Sequence, residues 1–275
     1  MESELLRQAT QAIDQLGVEP SSIGTVLSSS LYSLGCPSLA HRLIEHYGMP
    51  ASTDKYHVTG VGCASAVPLL RLGAQILQAD PSRQVLVVAA ESMSSILMPA
   101  QPEDSRTKTV GSAIFGDGCA AALLNSDRTA AGPAIVASCV HQIPDSLGAV
   151  ELTTDSQESH LKLARDLPEI AAEQLAELVH EFLRSNRLDE GAVDHWILHP
   201  GGRRIVECAR DALGLDDEDV AVSWRALAEH GNVGTPSIFY VLNSTIQDRR
   251  PARGDHGLAV TIGPGVSVGL MLLRF

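Results

Sequence analysis

The stretch HVTGVGCASA, residues 57–66, decides how this chain is interpreted. Its first residues are mostly β-branched or apolar and predict a buried strand that ends at Gly62 and Cys63. Small and apolar residues then predict a helix that runs to about Leu77. A cysteine at such a junction lies at a helix N-terminus, where unpaired backbone N–H groups favour the thiolate. The pattern makes Cys63 a candidate nucleophile; for this motif alone, a buried structural cysteine is the alternative.

Outward from this stretch, short apolar runs alternate with longer segments of helical period, such as Glu4–Leu16 and Leu167–Arg187. This alternation predicts an α/β protein built from packed helix and sheet layers. The Gly- and Pro-containing stretch 127–133 is the predicted boundary between two α/β halves, residues 1–130 and 131–275. The predicted strands are Thr25–Ser28, Tyr56–Val61, Gln84–Ala90, Cys119–Leu124, Ile135–His141, His195–Leu198, Val220–Val222, Gly257–Ile262 and Ser267–Leu273.

Charge and cysteine usage exclude several classes of protein. The formal net charge of −13 argues against a nucleic-acid binder, and a polyanionic ligand would need locally placed cations. The cysteines are scattered, without a C-x-x-C pair or a Cys/His cluster of zinc-binding spacing, so we predict no metal site. We see no leader with an apolar core and no uncharged stretch long enough to span a bilayer. These features predict a soluble protein of the reducing cytoplasm.

Two polar residues later in the chain are candidate partners of Cys63. His199 ends an apolar run and precedes a Pro-Gly-Gly turn, and a neutral imidazole there can accept the thiol proton. Asn232 lies in a Gly-flanked turn before a predicted helix, where its amide can donate to a carbonyl oxygen that gains negative charge. Each has an ordinary alternative: a core histidine bonded to a carbonyl, or an asparagine that suits a tight turn.

Five motifs, taken in order, resemble those of the chalcone synthase-like (type III) polyketide synthases, in the thiolase and ketoacyl synthase III superfamily. The spacing of Cys63, His199 and Asn232 resembles that of the same family. The resemblance covers nearly the whole chain and implies a thiolase-like fold, with two similar α/β halves in stacked layers. The motifs are GCA (62–64), VGSAIFGDGCAAA (110–122), HPGGR (199–203), HGNVGTPS (230–237) and GPG (263–265).

The resemblance implies a catalytic triad. Cys63 would take an acyl group from coenzyme A as a thioester, and His199 would keep the cysteine as a thiolate. With Asn232, His199 would hold the oxygens of the loading and malonyl thioesters and stabilise the enolate that decarboxylation forms. Coenzyme A thioesters would thus be substrates, with no permanently bound cofactor.

The resemblance also implies binding roles. Phe115 would be an aromatic gatekeeper between the coenzyme A tunnel and the cavity, with simple core packing as its alternative. The glycine-rich loop of Gly263, Pro264 and Gly265 would shape the cavity floor. Arg203 and Arg204, beside the His-Pro-Gly-Gly turn, are the candidates to bind the coenzyme A phosphates.

The positions that match the family's cavity wall are Leu31, Tyr32, Met93 and Ile96, where several members have threonine or serine. Loss of hydroxyls from this wall predicts an aliphatic or fatty-acyl starter rather than a hydroxycinnamoyl one. Members of the family are homodimers in which one loop residue enters the neighbour's cavity, and that position falls on Cys36 here.

The chain departs from the family pattern at its beginning. Members usually start with a further strand and helices, so the resemblance implies an incomplete N-terminal half, which a partner could complete. The leading hypothesis is an acyltransferase that condenses an acyl-CoA starter with malonyl-CoA. The alternatives are a ketoacyl-synthase-III-like protein that performs a single condensation or acyl transfer, and a truncated, non-catalytic partner of a full-length synthase.

Overall fold

The computed structural model describes residues 2–31, 36–95, 106–154 and 159–275. Within these ranges helices and strands alternate, as the apolar patterns predict. The helices are α1 (Glu2–Asp14), α2 (Leu39–Tyr47), α3 (Ala66–Ala79), α4 (Arg106–Ile114), α5 (Leu167–Glu173), α6 (Leu175–Ser185), α7 (Arg203–Ala212), α8 (Ala221–His230) and α9 (Pro236–Ser244). The strands are β1 (Ile23–Ser29), β2 (Asp54–Val58), β3 (Gln84–Glu91), β4 (Gly118–Leu124), β5 (Ala134–Gln142), β6 (Val150–Thr154), β7 (Ser159–Leu163), β8 (His195–Leu198), β9 (His256–Gly263) and β10 (Ser267–Arg274).

Most of these strands form two four-stranded mixed sheets. The first has the order β2-β1-β3-β4, in which β1 runs parallel to β2 and β3 while β4 is antiparallel to β3. The second has the order β5-β10-β9-β8, in which only the β8–β9 pair is parallel. Strands β6 and β7 pair with each other in a small antiparallel sheet. The predicted boundary near residue 130 falls between the two larger sheets, and a division into two independent halves stays a prediction.

Three apolar clusters hold the sheets and helices in layers. On one face of β3, Leu86 packs in a cluster with Ile13 of α1 and Leu43 of α2. On the opposite face, the alternate residues of β3 pack with α3 and α9, which also contact the second sheet. The far face of that sheet is covered by α5, α6 and α7, with Leu183 and Leu258 in one cluster. The order is helix, sheet, helix, sheet, helix, which is the stacked layering that the sequence predicts.

The helix that follows Cys63 lies at the centre of these layers. Its residues Val67 and Leu69 are at most 1% exposed, and they share a cluster with Leu27 of the first sheet and Met271 of the second. The inner strands β3, β9 and β10 are therefore covered on two faces, which explains why they are almost continuously apolar in sequence.

Two segments differ from their prediction. Val220–Val222, predicted as a strand, instead leads into α8, because Val222 and Ala226 are buried one helical turn apart and good helix formers follow. The helix predicted over Leu167–Arg187 is two helices, α5 and α6, that meet at Gln174. The strands β6 and β7 were not predicted from the sequence.

The turn between β9 and β10 packs directly on the turn that carries Cys63. A Cβ added to Gly263 would lie 2.6 Å from the backbone nitrogen of Ala64 and 2.7 Å from its Cβ. Backbone atoms cannot give way as a flexible side chain can, so only glycine fits at this contact.

We therefore expect Gly263→Ala to lower the free energy of unfolding by about 1–3 kcal/mol, the usual cost of overpacking a close contact. Urea unfolding followed by circular dichroism measures this change. Gly132→Ala is the matched control, because a Cβ at Gly132 meets no atom within 4 Å. Equal unfolding midpoints for the two variants would show that the contact between the turns is not tight.

Candidate active site

A cavity of about 510 Å³ lies between the turn that carries Cys63 and the start of α7. Its walls are mainly apolar, and small-molecule sites typically have volumes of roughly 300–1,000 Å³. The three candidate catalytic side chains border this one space, together with most of the predicted binding residues. The predicted residues that border it are Cys63, His199, Asn232, Phe115, Leu31, Met93, Gly263, Pro264, Arg203 and Arg204.

Cys63 lies in a 3₁₀ turn, Gly62–Ser65, that leads into α3. Gly62 has a φ of +57°, and a Cβ there would lie 2.8 Å from Pro264. The turn thus needs glycine both for its backbone conformation and for its approach to the β9–β10 turn. The Cys63 thiol points toward the side chain of Asn232 and donates a long hydrogen bond to Oδ1, at 3.9 Å.

Burial determines the protonation state of Cys63. The pKa of its thiol is raised to about 12, first by desolvation and then by the negative charge of Glu91, and the contact with Asn232 offsets only part of this. The structure therefore holds Cys63 as a thiol at neutral pH, whereas the sequence predicts a thiolate. The cysteine precedes α3 in a separate turn, and the apolar surroundings penalise the anion more than the turn stabilises it.

His199 follows β8 and is 3% exposed. Its backbone N–H donates to the carbonyl of Val260 at 2.9 Å, which extends the pairing of β8 with β9 up to the cavity. Neither ring nitrogen has a hydrogen-bond partner among the described residues. Burial lowers the pKa of the imidazole to about 4, so the ring is neutral at pH 7. A neutral, unpartnered imidazole at a cavity wall can accept a proton from a thiol or a ligand.

Asn232 is held in one orientation by its neighbours. Its Nδ2 donates to the carbonyl of Gly201 at 3.1 Å, and its Oδ1 accepts the N–H of Gly234 at 2.9 Å. Because a side-chain amide carries two N–H donors, one donor is left beyond the bond to Gly201. Oδ1 is thus the acceptor that faces the Cys63 thiol, and the amide keeps one N–H donor beyond its bond to Gly201.

Phe115 is held beside Asn232 by the backbone. The N–H of Asn232 donates to the carbonyl of Ile114 at 2.9 Å, and the N–H of Gly116 donates to the carbonyl of Asn232 at 3.0 Å. These two bonds form an isolated bridge between Phe115 and Asn232. The aromatic side chain is therefore part of the wall next to the candidate catalytic residues.

One wall of the cavity was missed by the sequence analysis. Strands β6 and β7 pair so that Val150 lies opposite Leu163 and Leu152 lies opposite Leu161, and all four residues line the cavity. The signal was present, because both strands alternate apolar and polar residues with a period of two. Strands of five residues are easily interpreted as a loop, because so few residues carry the alternation.

A buried carboxylic acid close to Cys63 was also missed. Glu91 ends the apolar strand β3 and is 1% exposed. It accepts the N–H of Leu31 at 2.7 Å, and it lies 3.1 Å from the hydroxyl of Thr235. Desolvation raises the pKa of this carboxyl to about 7, although the bonds from Leu31 and Thr235 oppose the shift.

Basic side chains lie at the cavity where α7 begins. Arg203 pairs with Glu207 at 2.8 Å and Arg204 pairs with Glu169, so their charges are partly compensated. Arg165, an exposed residue that was not predicted from the sequence, borders the same space. The protein thus places three arginines at one cavity despite its net negative charge.

Among the described residues, two predicted binding residues, Gly265 and Cys36, do not line the cavity. Gly265 lies in the β9–β10 turn, where a Cβ would face Leu147 and Gln142 rather than the cavity, so we correct its assignment to the floor. Cys36 is exposed, and the contact predicted for it involves a second subunit. Tyr32 and Ile96 lie outside the described residues.

Comparison with known proteins identifies the family. A family profile for the C-terminal domain of chalcone and stilbene synthases matches residues 134–275, and one for FAE1/type III polyketide synthase-like proteins matches residues 1–184. The chain belongs to the type III polyketide synthase family. The predicted family, its thiolase-like fold and its acyltransferase class are therefore confirmed.

Individual members of the type III polyketide synthases match over most of the chain. The 1,3,6,8-tetrahydroxynaphthalene synthase of Streptomyces peucetius is 29% identical over 96% of this chain and 70% of its own length. The α-pyrone synthesis polyketide synthase-like Pks18 of Mycobacterium tuberculosis is 29% identical over 95% of this chain and 67% of its own length. The crystal structure of PKS-I from the brown alga Ectocarpus siliculosus has a TM-score of 0.89 and 30% identity, over 98% of this chain and 73% of that one.

None of the helices in the described ranges is long and apolar enough to cross a membrane.

The lowered pKa of His199 predicts a specific acid sensitivity. In the unfolded chain the imidazole has a pKa near 6.5, so between that value and about 4 the unfolded state binds more protons and stability falls as the pH falls. From pH 7 to pH 5 this linkage removes about 2 kcal/mol of stability. We expect His199→Gln to lose less stability over this interval than the wild type, whereas His141→Gln, at an exposed histidine on β5, should lose as much. Denaturant unfolding at the two pH values measures both, and identical acid sensitivity in all three proteins would contradict the assignment.

Proposed function

We propose that the protein condenses an acyl-CoA starter with malonyl-CoA through a thioester on Cys63. The observation that carries this proposal is the shared cavity, in which the Cys63 thiol, the unpartnered imidazole of His199 and the amide of Asn232 border one apolar space. The family supplies the reaction class. The geometry of this chain supports the assignment of its steps to these residues.

In the loading step, the sulfur of Cys63 attacks the thioester carbonyl of the acyl-CoA. The thiol proton passes to the neutral His199 imidazole and then to the sulfur of coenzyme A, which leaves as the thiol. The carbonyl oxygen gains negative charge during the attack and accepts the remaining N–H donor of Asn232. A neutral Cys63 thiol and a neutral His199 imidazole suit this step, because charge separates between them only once the thioester is present.

In the extension step, malonyl-CoA occupies the place that coenzyme A has left. Loss of carbon dioxide leaves an enolate, whose oxygen accepts hydrogen bonds from the N–H of the neutral His199 imidazole and from the Asn232 amide. The carbanion then attacks the acyl group on Cys63, and the C–S bond breaks as the new carbon–carbon bond forms. The sulfur leaves as a thiolate, which takes up a proton from water. Phe115, held beside Asn232, restricts the path between this centre and the outside.

The phosphates of coenzyme A need cations, which a chain of charge −13 must place locally. Arg203 and Arg204 border the cavity at the start of α7, and we assign the phosphate end of the substrate to them. Arg165 borders the same space and extends the basic side of the entrance.

The apolar wall favours an aliphatic starter. Leu31 and Met93 border the cavity where several family members carry hydroxyls, and Leu152 and Leu161 add an apolar wall from β6 and β7. Each buried methylene contributes roughly 0.8 kcal/mol, so a few methylenes outweigh one lost hydrogen bond of about 1 kcal/mol.

Three further expectations stay predictions. They are a homodimer in which Cys36 enters the neighbour's cavity, a cytoplasmic location, and the use of coenzyme A thioesters without a bound cofactor.

Intact-protein mass spectrometry tests the covalent step. After mixing with a medium-chain acyl-CoA, the wild type should gain the mass of one acyl group, because Cys63 exchanges its proton for it. Cys63→Ala should gain none, and Cys208→Ala, at a partly buried cysteine on α7, should load like the wild type. If no acyl-CoA of any length loads the wild type, a non-catalytic partner role replaces this proposal.

The proposed preference for aliphatic starters can be tested at the cavity wall that β6 and β7 form. Leu152→Asn should slow loading of dodecanoyl-CoA about tenfold, because it removes roughly two methylene contacts of ~0.8 kcal/mol each. Acetyl-CoA loading should stay unchanged, since a short chain does not reach the wall. Leu147→Asn is the control, at a leucine that is 66% exposed. A wild type that loads a coumaroyl or benzoyl thioester faster than medium and long alkyl thioesters would contradict the preference.

A further inference from the structure

Helix α4 and strand β7 meet at a point that leaves no room for a further side chain. Gly111 of α4 is buried there, and a Cβ added to it would lie 2.5 Å from Cδ2 of Leu161 on β7. Outside its own helix, the only other atom of the described residues within 4 Å of that Cβ is Cγ of the same leucine, at 3.8 Å. At this point the helix therefore contacts one side chain of the strand.

The same leucine forms part of the cavity wall. Leu161 and its partner on β6, Leu152, both border the cavity. Val110 and Ile114 of α4 border it as well. The residues before and after Leu161 are exposed, because side chains alternate along a strand. Leu161 thus lies where α4, the hairpin of β6 and β7, and the cavity meet.

The backbone of α4 does not itself require glycine at position 111. Among the described residues, the glycines with a positive φ do not include Gly111. Glycine is also less favourable than alanine in the interior of a helix. Room for Leu161 is therefore the structural reason for a glycine here.

A methyl group at position 111 would displace the Leu161 side chain rather than the strand that carries it. The clashing atom is a terminal methyl carbon, which a rotation about the side-chain bonds moves away from α4. The backbone of β7 pairs with β6 along its whole length, and the N–H of Ala164 donates to the carbonyl of Ala149 at 2.8 Å at the base of the hairpin. Since Leu161 projects from the cavity side of β7, the displaced methyl group enters the cavity.

We propose that Gly111 is a positioning residue for substrate selection: it leaves room for Leu161 against α4 and so keeps that side chain out of the space that a long alkyl chain fills. The identity of the ligand as an acyl chain rests on the proposed function, whereas the packing does not. A short acyl group fills only a small part of a cavity of about 510 Å³, so the room that Gly111 provides matters for long chains.

Binding of two fatty acids, hexanoate and dodecanoate, tests this without any acyl transfer. Isothermal titration calorimetry gives the Kd of each acid for the wild type and the variants. In Gly111→Ala, the displaced Leu161 should weaken dodecanoate binding about tenfold, as expected for the loss of roughly two methylene contacts, and leave hexanoate binding within about twofold of the wild type. Gly73→Ala is the matched control, at a buried glycine of α3 away from the cavity. Its Cβ would meet its nearest atoms at an ordinary 3.5 Å, so both Kd values should stay unchanged.

A double variant shows whether Gly111 acts through Leu161. Leu161→Ala removes the atoms that clash, so adding Gly111→Ala to it should leave the dodecanoate Kd unchanged. A further loss of affinity in the double variant, or an equal effect of Gly111→Ala on both acids, would overturn the proposal. Tighter dodecanoate binding in Gly111→Ala would overturn it too, because α4 would then have moved away from β7. So would a wild type that does not bind dodecanoate.

The double variant also covers the case in which Gly111→Ala does not fold. By circular dichroism it should be folded, because the added Cβ then meets no side chain, and it should bind dodecanoate like Leu161→Ala. A double variant that also fails to fold refutes the proposal. Failure of the proposed function looks different: the fatty acids bind as expected, but no acyl-CoA loads Cys63.

Discussion

The contact between two turns is the constraint on which the rest of this structure depends. The turn Gly62–Ser65 and the turn that follows β9 approach so closely that neither Gly62 nor Gly263 has room for a side chain. This contact fixes α3 between the two large sheets, and it brings the end of the second sheet beside Cys63. Since His199 follows β8, the neighbour of β9, the same sheet carries the imidazole to the same cavity. The apolar clusters hold the layers together, and this contact between the turns brings the residues of the candidate site to one place between them.

The sequence predicted what strong local patterns encode. Apolar runs located most of the strands, and the Cys63, His199 and Asn232 turns could be singled out because glycine beside a polar residue is a local signal. What it missed depends on tertiary packing. The apolar residues Val220–Val222 are typical of a strand, and only the burial of Ala226 on the same face shows that they belong to a helix. Strands β6 and β7 are too short for their alternation to be a clear signal. Nothing in the composition of β3 indicates that Glu91, at the end of the strand, is covered on all sides rather than solvated.

Burial has a single electrostatic consequence throughout this site. It raises the pKa of Cys63 and of Glu91 and lowers that of His199, so each of the three groups favours its neutral form. The expectation of a standing thiolate at Cys63 treated the helix terminus as the dominant influence. In an apolar cavity the cost of desolvating the anion is larger than the stabilisation that a few backbone N–H groups provide.

A neutral site also agrees with an apolar ligand. An alkyl chain that enters a cavity lined by Leu31, Met93 and Leu152 excludes water from the neighbouring polar groups, and any standing charge there would lose its solvation. With a neutral thiol and a neutral imidazole, the alkyl chain can bind without that cost at Cys63 and His199. In the proposed loading step, charge develops only between Cys63, His199 and the thioester, beside an Asn232 amide that Gly201 and Gly234 hold in one orientation. The apolar wall and the neutral candidate catalytic groups are therefore compatible with each other, because a more hydrophobic cavity requires fewer charged groups before the substrate binds.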